Sequence, residues 1–348
     1  MIFKKPLLTV GLCFLLLQSF AQQRPYYTQY ILNDFIINPA LAGIENYWDV
    51  KVSHRHQWVG LDGAPVTTYL TIQGPLTKST GDRETTASVR APGENPRGKS
   101  FLQNYVPADP HQGVGLTILN DRAGPLNRFA AFATYAYHLP IGPKTSMSAG
   151  LSLGIQNLRL DAAALYFGEQ YPVDPAVAGS GFINTIKPDI SAGLYVYSAR
   201  YFIGLAAQQI IPQKVGFSNG KIGGDSIEVI SGRLIPHMFF QAGYKFLLSE
   251  DISFLPSFMV KYVNPVPLSL NINAKFQYRD LIWAGASFRP KDGFAAMFGV
   301  NISSSINIGY SYDYNTSKLN TVSNGTHEFI IGFLIGNRYG DWCPRNVW

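Results

Sequence analysis

The stretch LSLNINAKFQY, residues 268–278, decides how the chain is read. Leu268, Leu270, Ile272, Ala274, Phe276 and Tyr278 fall on one parity, and Ser269, Asn271, Asn273, Lys275 and Gln277 on the other. Successive side chains of a strand point to opposite faces, so this segment has one apolar face and one polar face. In a soluble sandwich the apolar face would be the core. In an outer-membrane barrel it faces lipid, and the polar face lines a lumen.

The same alternation recurs outward from this point. Met147, Ala149, Leu151, Leu153 and Ile155 oppose Ser146, Ser148, Gly150, Ser152 and Gly154. Ile306, Ile308, Tyr310, Tyr312 and Tyr314 oppose Asn307, Gly309, Ser311, Asp313 and Asn315. The polar faces are small more often than charged, which suggests a crowded lumen. The pattern predicts an all-β fold, a transmembrane antiparallel β-barrel of about fourteen strands. The expected spans are 47–58, 66–76, 112–120, 126–138, 144–158, 187–197, 200–210, 236–249, 251–263, 267–279, 281–289, 293–302, 304–314 and 326–337.

Composition separates the two environments. Charged residues make up 14% of the 348, against about a quarter in ordinary soluble domains, and aromatics also reach 14%. No internal apolar run approaches the roughly 20 residues of a spanning helix. The one long apolar run is terminal. Lys4 and Lys5 precede apolar residues 6–17, and Ser19-Phe20-Ala21 supplies small residues, so 1–21 reads as a signal peptide cleaved after Ala21. Losing the two lysines lowers the formal charge from +6 to +4. Basic residues are scattered rather than striped, which argues against nucleic acid as a partner. Cys13 leaves with the signal and Cys343 stands alone, so no internal disulfide is expected.

Residues 22–46, aromatic and amide-rich without alternation, read as a periplasmic or plug-like arm; 47–337 form the barrel and 338–348 a tail. With the arm inside the cell envelope, the short connections face the periplasm, and the long ones, 159–186, 211–235 and 315–325, face outside. The connection 77–111 is long yet falls on the periplasmic side. It is either an insertion or a sign that the strand assignment slips there. Trp48 and Trp58 share a parity ten residues apart, a spacing that fits two aromatic girdles. His54 and His56 share that parity too, awkwardly for lipid contact, unless a bulge near Ser53 intervenes or the apolar band is thin.

Motifs for chemistry are weak. His54 and His56 are spaced i, i+2, but no further ligand joins them, so no metal site is expected. No G-x-S-x-G elbow accompanies the serines and His111, His138, His237 and His327, so no catalytic residues are assigned. Gly223-Gly224-Asp225 lacks the Lys-Ser/Thr of a phosphate loop, and no cofactor is implied. An enzyme is not expected.

Several short blocks carry a resemblance. Gln29-Tyr30, Asn33, Asn38-Pro39-Ala40 and Gly43 resemble the opening of the PorP/SprF family of type IX secretion system membrane proteins. Arg55-His56-Gln57-Trp58 with Pro65 and Thr67 resembles its first hairpin, and Asn120-Asp121 with Gly124-Pro125 its next. Tyr312-Asp313-Tyr314-Asn315, Leu319, Asn324-Gly325 and His327-Glu328 are similar to its penultimate loop and last strand. The blocks run from about Gln29 to Ile335.

The resemblance implies an outer-membrane barrel of Bacteroidota that helps export or anchor large surface proteins, gliding adhesins among them. It implies as partners the periplasmic ring and motor components of the secretion machine, a large cargo protein with a type B C-terminal secretion signal, and outer-membrane lipid. The motif positions Asn38, Pro39, Ala40, Gly43, Arg55, Gln57, Trp58, Asp121, Gly124, Asp313, His327 and Glu328 are then structural or contact a partner. On the structural reading Asn38-Pro39 is a fixed turn, Trp58 a girdle anchor, and Arg55 with Glu328 a lumenal pair where the first and last strands meet. The competing function is a channel for uptake of a small or apolar solute.

Overall fold

The computed structural model describes residues 27–76, 95, 98–161, 164, 182–215, 221–222, 225–226, 232–279, 281–290, 292–303 and 305–336. The expected signal peptide and the tail with Cys343 lie outside them.

Fourteen antiparallel strands close into a barrel. They are β1 Trp48–His56, β2 Val66–Pro75, β3 His111–Ala123, β4 Leu126–Gly142, β5 Thr145–Asp161, β6 Phe182–Tyr197 and β7 Tyr201–Gln208. Then follow β8 His237–Tyr244, continued by Phe246–Leu247, β9 Ile252–Val263, β10 Val266–Tyr278, β11 Ile282–Arg289, β12 Gly293–Asn301, β13 Ile306–Asn315 and β14 Thr326–Ile335. Each strand pairs with its sequence neighbours, and β1 pairs with β14 from Trp48↔Ile335 to His56↔His327, so no edge remains.

The faces are inverted relative to a soluble protein. On β10, Leu268 is 67% exposed and Asn271 0%. Ile272, Phe276 and Tyr278 are exposed, whereas Asn273, Lys275 and Gln277 are buried. A fully exposed Leu or Phe forgoes roughly 1.5–3 kcal/mol of burial in water. A whole wall of such residues is stable only against hydrocarbon, and the chain is an integral outer-membrane barrel.

The structure corrects several boundaries. β1 ends at His56, and Trp58 sits beyond it with φ +52° in the β1–β2 loop, so the two-girdle spacing does not hold. The β1–β14 register has no bulge at Ser53, and His54 and His56 do face outward; His54 Nδ1 lies 2.9 Å from Thr68 Oγ1. β4 and β5 are 17 residues each, and β5 pairs with β6 as far as Asp161↔Phe182. At ~3.3 Å per residue and ~45° tilt, 17 residues rise ~40 Å, beyond the ~25 Å apolar band. The β5–β6 ladder, which continues well past the end of β7, therefore projects at the long-loop end. The 211–235 connection carries two short pairings, Gln213–Val215 with Gly232–Leu234 and Lys221–Ile222 with Asp225–Ser226.

The strand assignment around 77–111 does not slip. β2 and β3 pair without interruption from Val66↔Arg122 to Pro75↔Gly113, which puts that connection at the end with the short turns. Its returning part forms α1, Lys99–Asn104, laid across those turns. Lys99 N donates to Glu250 Oε1 (2.9 Å), Asn95 Nδ2 to Glu250 O (2.8 Å), and Lys144 Nζ to Gln103 O (2.8 Å). Leu102, Tyr105 and Ala199 form a small apolar cluster beneath it, with Leu247 packed against them.

Residues 27–47 lie inside the lumen. They form three 3-10 turns, Gln29–Ile31, Asp34–Ile36 and Pro39–Leu41. The third starts where Asn38 Oδ1 accepts from Ala40 N (3.0 Å) and Pro39, whose φ is already suited, occupies the first position. Short turns rather than a helix let the segment aim side chains at the wall all round. Its end joins the start of β1, and Thr28 lies beside Arg55 near the other end of β1, so it runs the length of the lumen.

Candidate functional site

The plug and its seat are the candidate site, and they are built differently at the two ends. At the long-loop end, β1, β11, β13 and β14 deliver Arg55, Arg289, Asp313 and Glu328 to one buried cluster. Register sets this up, because Arg55 stands directly opposite Glu328 across the closing seam. Arg55 Nη1 donates to Glu328 Oε2 (3.0 Å) and Nη2 to Asp313 Oδ2 (2.7 Å), and Arg289 Nη1 reaches the same Asp313 oxygen (3.2 Å). Two positive and two negative groups balance. Buried charges require such pairing, since an isolated one would cost several kcal/mol.

Thr28 of the plug completes the cluster. Its hydroxyl donates to Asp313 and accepts from Arg55 Nη1 (3.0 Å) and Arg289 Nη2 (2.5 Å), which uses all three of its hydrogen-bonding capacities. Its backbone N–H donates to Glu328 Oε2 (2.8 Å), and that of Gln29 to the same oxygen (3.3 Å). The turn is thus held by charge-assisted hydrogen bonds, the stronger kind.

Midway, polar lumen side chains meet plug groups singly. Asn33 Nδ2 donates to Thr71 Oγ1 (2.8 Å), and Gln241 Nε2 to Asp34 Oδ2 (2.7 Å). Tyr30 OH accepts from Asn273 Nδ2 (2.5 Å), and Gln208 Nε2 donates to the carbonyls of Ile36 (2.9 Å) and Ile37 (2.8 Å).

At the short-turn end the plug backbone lies against glycine. A Cβ on Gly193 would collide with Asn38 Oδ1, one on Gly150 with the Pro39 carbonyl, and one on Gly113 with the Ala42 carbonyl. Gly43 has φ +77°, open to glycine at no steric cost, and its own Cβ would strike Gly113. Asn38 Nδ2 donates to Leu194 O (3.1 Å) and Leu205 O (3.2 Å), Ser148 Oγ to Ala40 O (2.7 Å), and His138 Nε2 to Ala42 O (2.8 Å). Two cavities beside the plug are small. One of about 60 Å³ lies between Asp34, Lys51 and Trp283, and one of about 40 Å³ between Phe35, Phe132 and Gln208. Each holds a few waters at most.

The motif positions divide accordingly. Asn38, Pro39, Ala40 and Gly43 are plug residues at the glycine seat; Arg55, Asp313 and Glu328 are the charge cluster. Asp121 faces the lumen and accepts from Thr67 Oγ1 (2.6 Å). Gly124 makes the β3–β4 turn with φ +55°, and its N–H donates to Gly63 O (2.9 Å). Gln57 and Trp58 belong to the β1–β2 loop, where Gln57 N donates to Pro65 O (2.9 Å) and Trp58 N to Thr326 Oγ1 (3.1 Å). His327 stands apart on the outward face, 2.7 Å from Tyr310 OH. The sequence reading missed Thr28, Arg289, Gln208, Gly113 and Gly193. Parity alone could have placed Gly193 with the small lumenal residues; nothing local marks Thr28.

The sequence pattern of the family described as type IX secretion system membrane protein PorP/SprF matches residues 19–333, nearly the whole chain. The chain belongs to the PorP/SprF family. It is therefore an outer-membrane component of the type IX secretion system, and its family and fold are those of a secretion-system membrane barrel that works with other parts of that system. No curated protein matches. Among solved structures, this PorP/SprF chain is similar to the Ralstonia pickettii toluene transporter TbuX, with 8% identity, 87% of this chain and 93% of that one covered, and a TM-score of 0.48. It is also similar to the Pseudomonas putida toluene transporter TodX, with 10% identity, 90% and 95% covered, and a TM-score of 0.46. The Acinetobacter baumannii outer membrane protein Omp33 gives 9% identity, 84% and 100% covered, and a TM-score of 0.45.

Proposed function

We propose that this PorP/SprF chain helps export and anchor a large surface protein, such as a gliding adhesin, by holding it rather than by conducting it. The observation that supports this most is the lumen filled by the chain's own residues 27–47 and fastened at both ends. A barrel in that state offers surfaces, not a passage. The long-loop end, where the β5–β6 pairing continues to Asp161↔Phe182, is the surface for cargo carrying a type B C-terminal secretion signal. The short-turn end, roofed in part by α1, is the surface for the periplasmic ring and motor components.

Deleting the gene and comparing surface proteomes tests the role: one specific large protein should disappear from the cell surface, and an unchanged surface proteome defeats the reading. In planar bilayers the intact protein should be electrically silent, and removing residues 27–46 should open it. Steady conductance of the intact protein would argue instead for a channel.

One observation favours that second reading, a channel for uptake of a small or apolar solute. β8–β9 pairing lapses between Gly243↔Ser257 and Phe246↔Phe254, where Pro256 has no N–H to give. An apolar groove of about 720 Å³ opens there, lined by Phe202, Tyr244, Phe258 and Leu270 among others. Solute flux into liposomes that depends on this groove would raise the second reading above the first.

A further inference from the structure

The outward face of the barrel is apolar over most of its height, but one sector is not. Cross-strand register aligns two rows at the long-loop end of β14, β1, β2 and β3. The upper row reads His327, His56, Val66, Arg122, and the row two residues below reads Phe329, His54, Thr68, Asn120. His54, His56, Thr68, Asn120 and Arg122 are exposed and His327 is half-buried. His54 and His327 each use Nδ1 within the wall, toward Thr68 Oγ1 (2.9 Å) and Tyr310 OH (2.7 Å), which leaves Nε2 of both directed away from those bonds. The outward positions of these four strands carry no Asp or Glu.

The opposite wall at the same height is different. Met238, Tyr262, Leu268, Phe288 and Phe294, each within two residues of the strand end there, are exposed and apolar or aromatic. A rim merely reaching water would be polar all round, so the asymmetry calls for a local cause. Directly below the polar sector the same strands return to Val52, Leu116, Ile331 and Phe333, all exposed. Hydrogen-bond donors and a guanidinium stacked above an apolar strip match a molecule with an anionic head over hydrocarbon tails.

We propose that this sector, centred on His54, His56, Arg122 and His327, binds the phosphate-bearing headgroup of a membrane lipid, with its acyl chains lying on the apolar strip beneath. Arg122 supplies the fixed positive charge and planar donor fork suited to phosphate. The imidazoles and Asn120 supply further donors. This rests on the membrane architecture alone and is independent of the export role.

The test uses the full purified chain in detergent, titrated with phosphatidic acid or with diacylglycerol of the same acyl chains and read by native mass spectrometry. The wild-type protein should retain phosphatidic acid and release diacylglycerol. Arg122→Gln with His56→Ala should weaken phosphatidic acid retention about tenfold, the loss expected on removing a charge-assisted hydrogen bond. Arg122→Glu alone, a rim substitution that leaves the ladder intact, should do the same, and heat-modifiable migration on gels reports that each variant is a closed barrel. Equal retention of the two lipids, undiminished retention by both variants, or binding of inorganic phosphate as tight as that of the lipid would each overturn the proposal.

Discussion

The two ends of the plug are held by opposite means. At the long-loop end, Thr28 is gripped by four charged side chains from four strands, and the fit is one of charge. At the short-turn end, residues 38–43 press backbone to backbone on Gly113, Gly150 and Gly193, and the fit is one of shape. The difference sets what each end tolerates. A charge cluster fails when it loses one member, because the others are then buried without compensation. A close-packed seat fails when it gains an atom.

The largest effect should come from breaking the charge cluster. Arg55→Ala leaves the buried carboxylates of Glu328 and Asp313 with Arg289 as the one remaining cation of the cluster and should cost about 3–5 kcal/mol of stability. Urea unfolding in detergent, followed by tryptophan fluorescence, measures it. Arg55→Met combined with Glu328→Leu removes the pair together and should cost less than Arg55→Ala alone. If the double change proved the worse, the cluster would be stabilising as a pair rather than holding itself neutral.

Filling the glycine seat comes next. Gly150→Ala and Gly193→Ala should each cost about 1–3 kcal/mol by overpacking. They then part company. Gly193→Ala strikes the side chain of Asn38, so adding Asn38→Ala should relieve it. Gly150→Ala strikes the Pro39 backbone, which no side-chain change removes. A double-mutant cycle separates them, with coupling expected only for the first. Asn38→Ala by itself removes the cap on Ala40 N and should cost about 1 kcal/mol.

The smallest effect is the exposed counterpart of the buried cluster. In the β9 and β10 turns, Arg279 Nε donates to Asp251 Oδ1 (2.8 Å) and Nη2 to Oδ2 (3.0 Å). These hydrogen bonds, and the guanidinium charge, hold the Asp251 carboxyl below its usual range. A depressed carboxyl stabilises the fold above its unfolded-state value, about 3.9 for Asp, and that contribution is lost as pH falls through the folded value. The urea midpoints of wild type and Asp251→Asn should therefore lie close at neutral pH and merge in acid. A gap that persisted in acid would belong to something other than this charge.

Most of the wall was legible in the sequence, because alternation is local and lipid tolerates few exceptions to it. LSLNINAKFQY declares both its faces with no help from elsewhere. The loop-end boundaries were less legible. Nothing in Gln57-Trp58 signals the positive φ at Trp58, and the continuation of β5 to Asp161 is hidden because its apolar parity inverts past Ile155, where Leu158 is buried on the lumenal side. Arg55 opposite Glu328 could be expected from closure alone, since first and last strands must meet. Thr28 and Arg289 could not, because their meeting depends on where an irregular segment stops within a space that fourteen strands define together. The NPA turn reads as a turn from its own residues, but the glycines that receive it lie on β3, β5 and β6, more than 70 residues away in sequence.

Thr28 touches residues of both the first strand and the last, Arg55 and Glu328. A copy cut short before Thr326 has no partner for β1 and no carboxylate for the Thr28 amide. Such a fragment can be neither sealed nor stoppered, and its defect is plain from either terminus. The segment that is synthesised early is thus fixed only once the final strand has arrived, and the molecule verifies its own completeness by the same contacts that shut it.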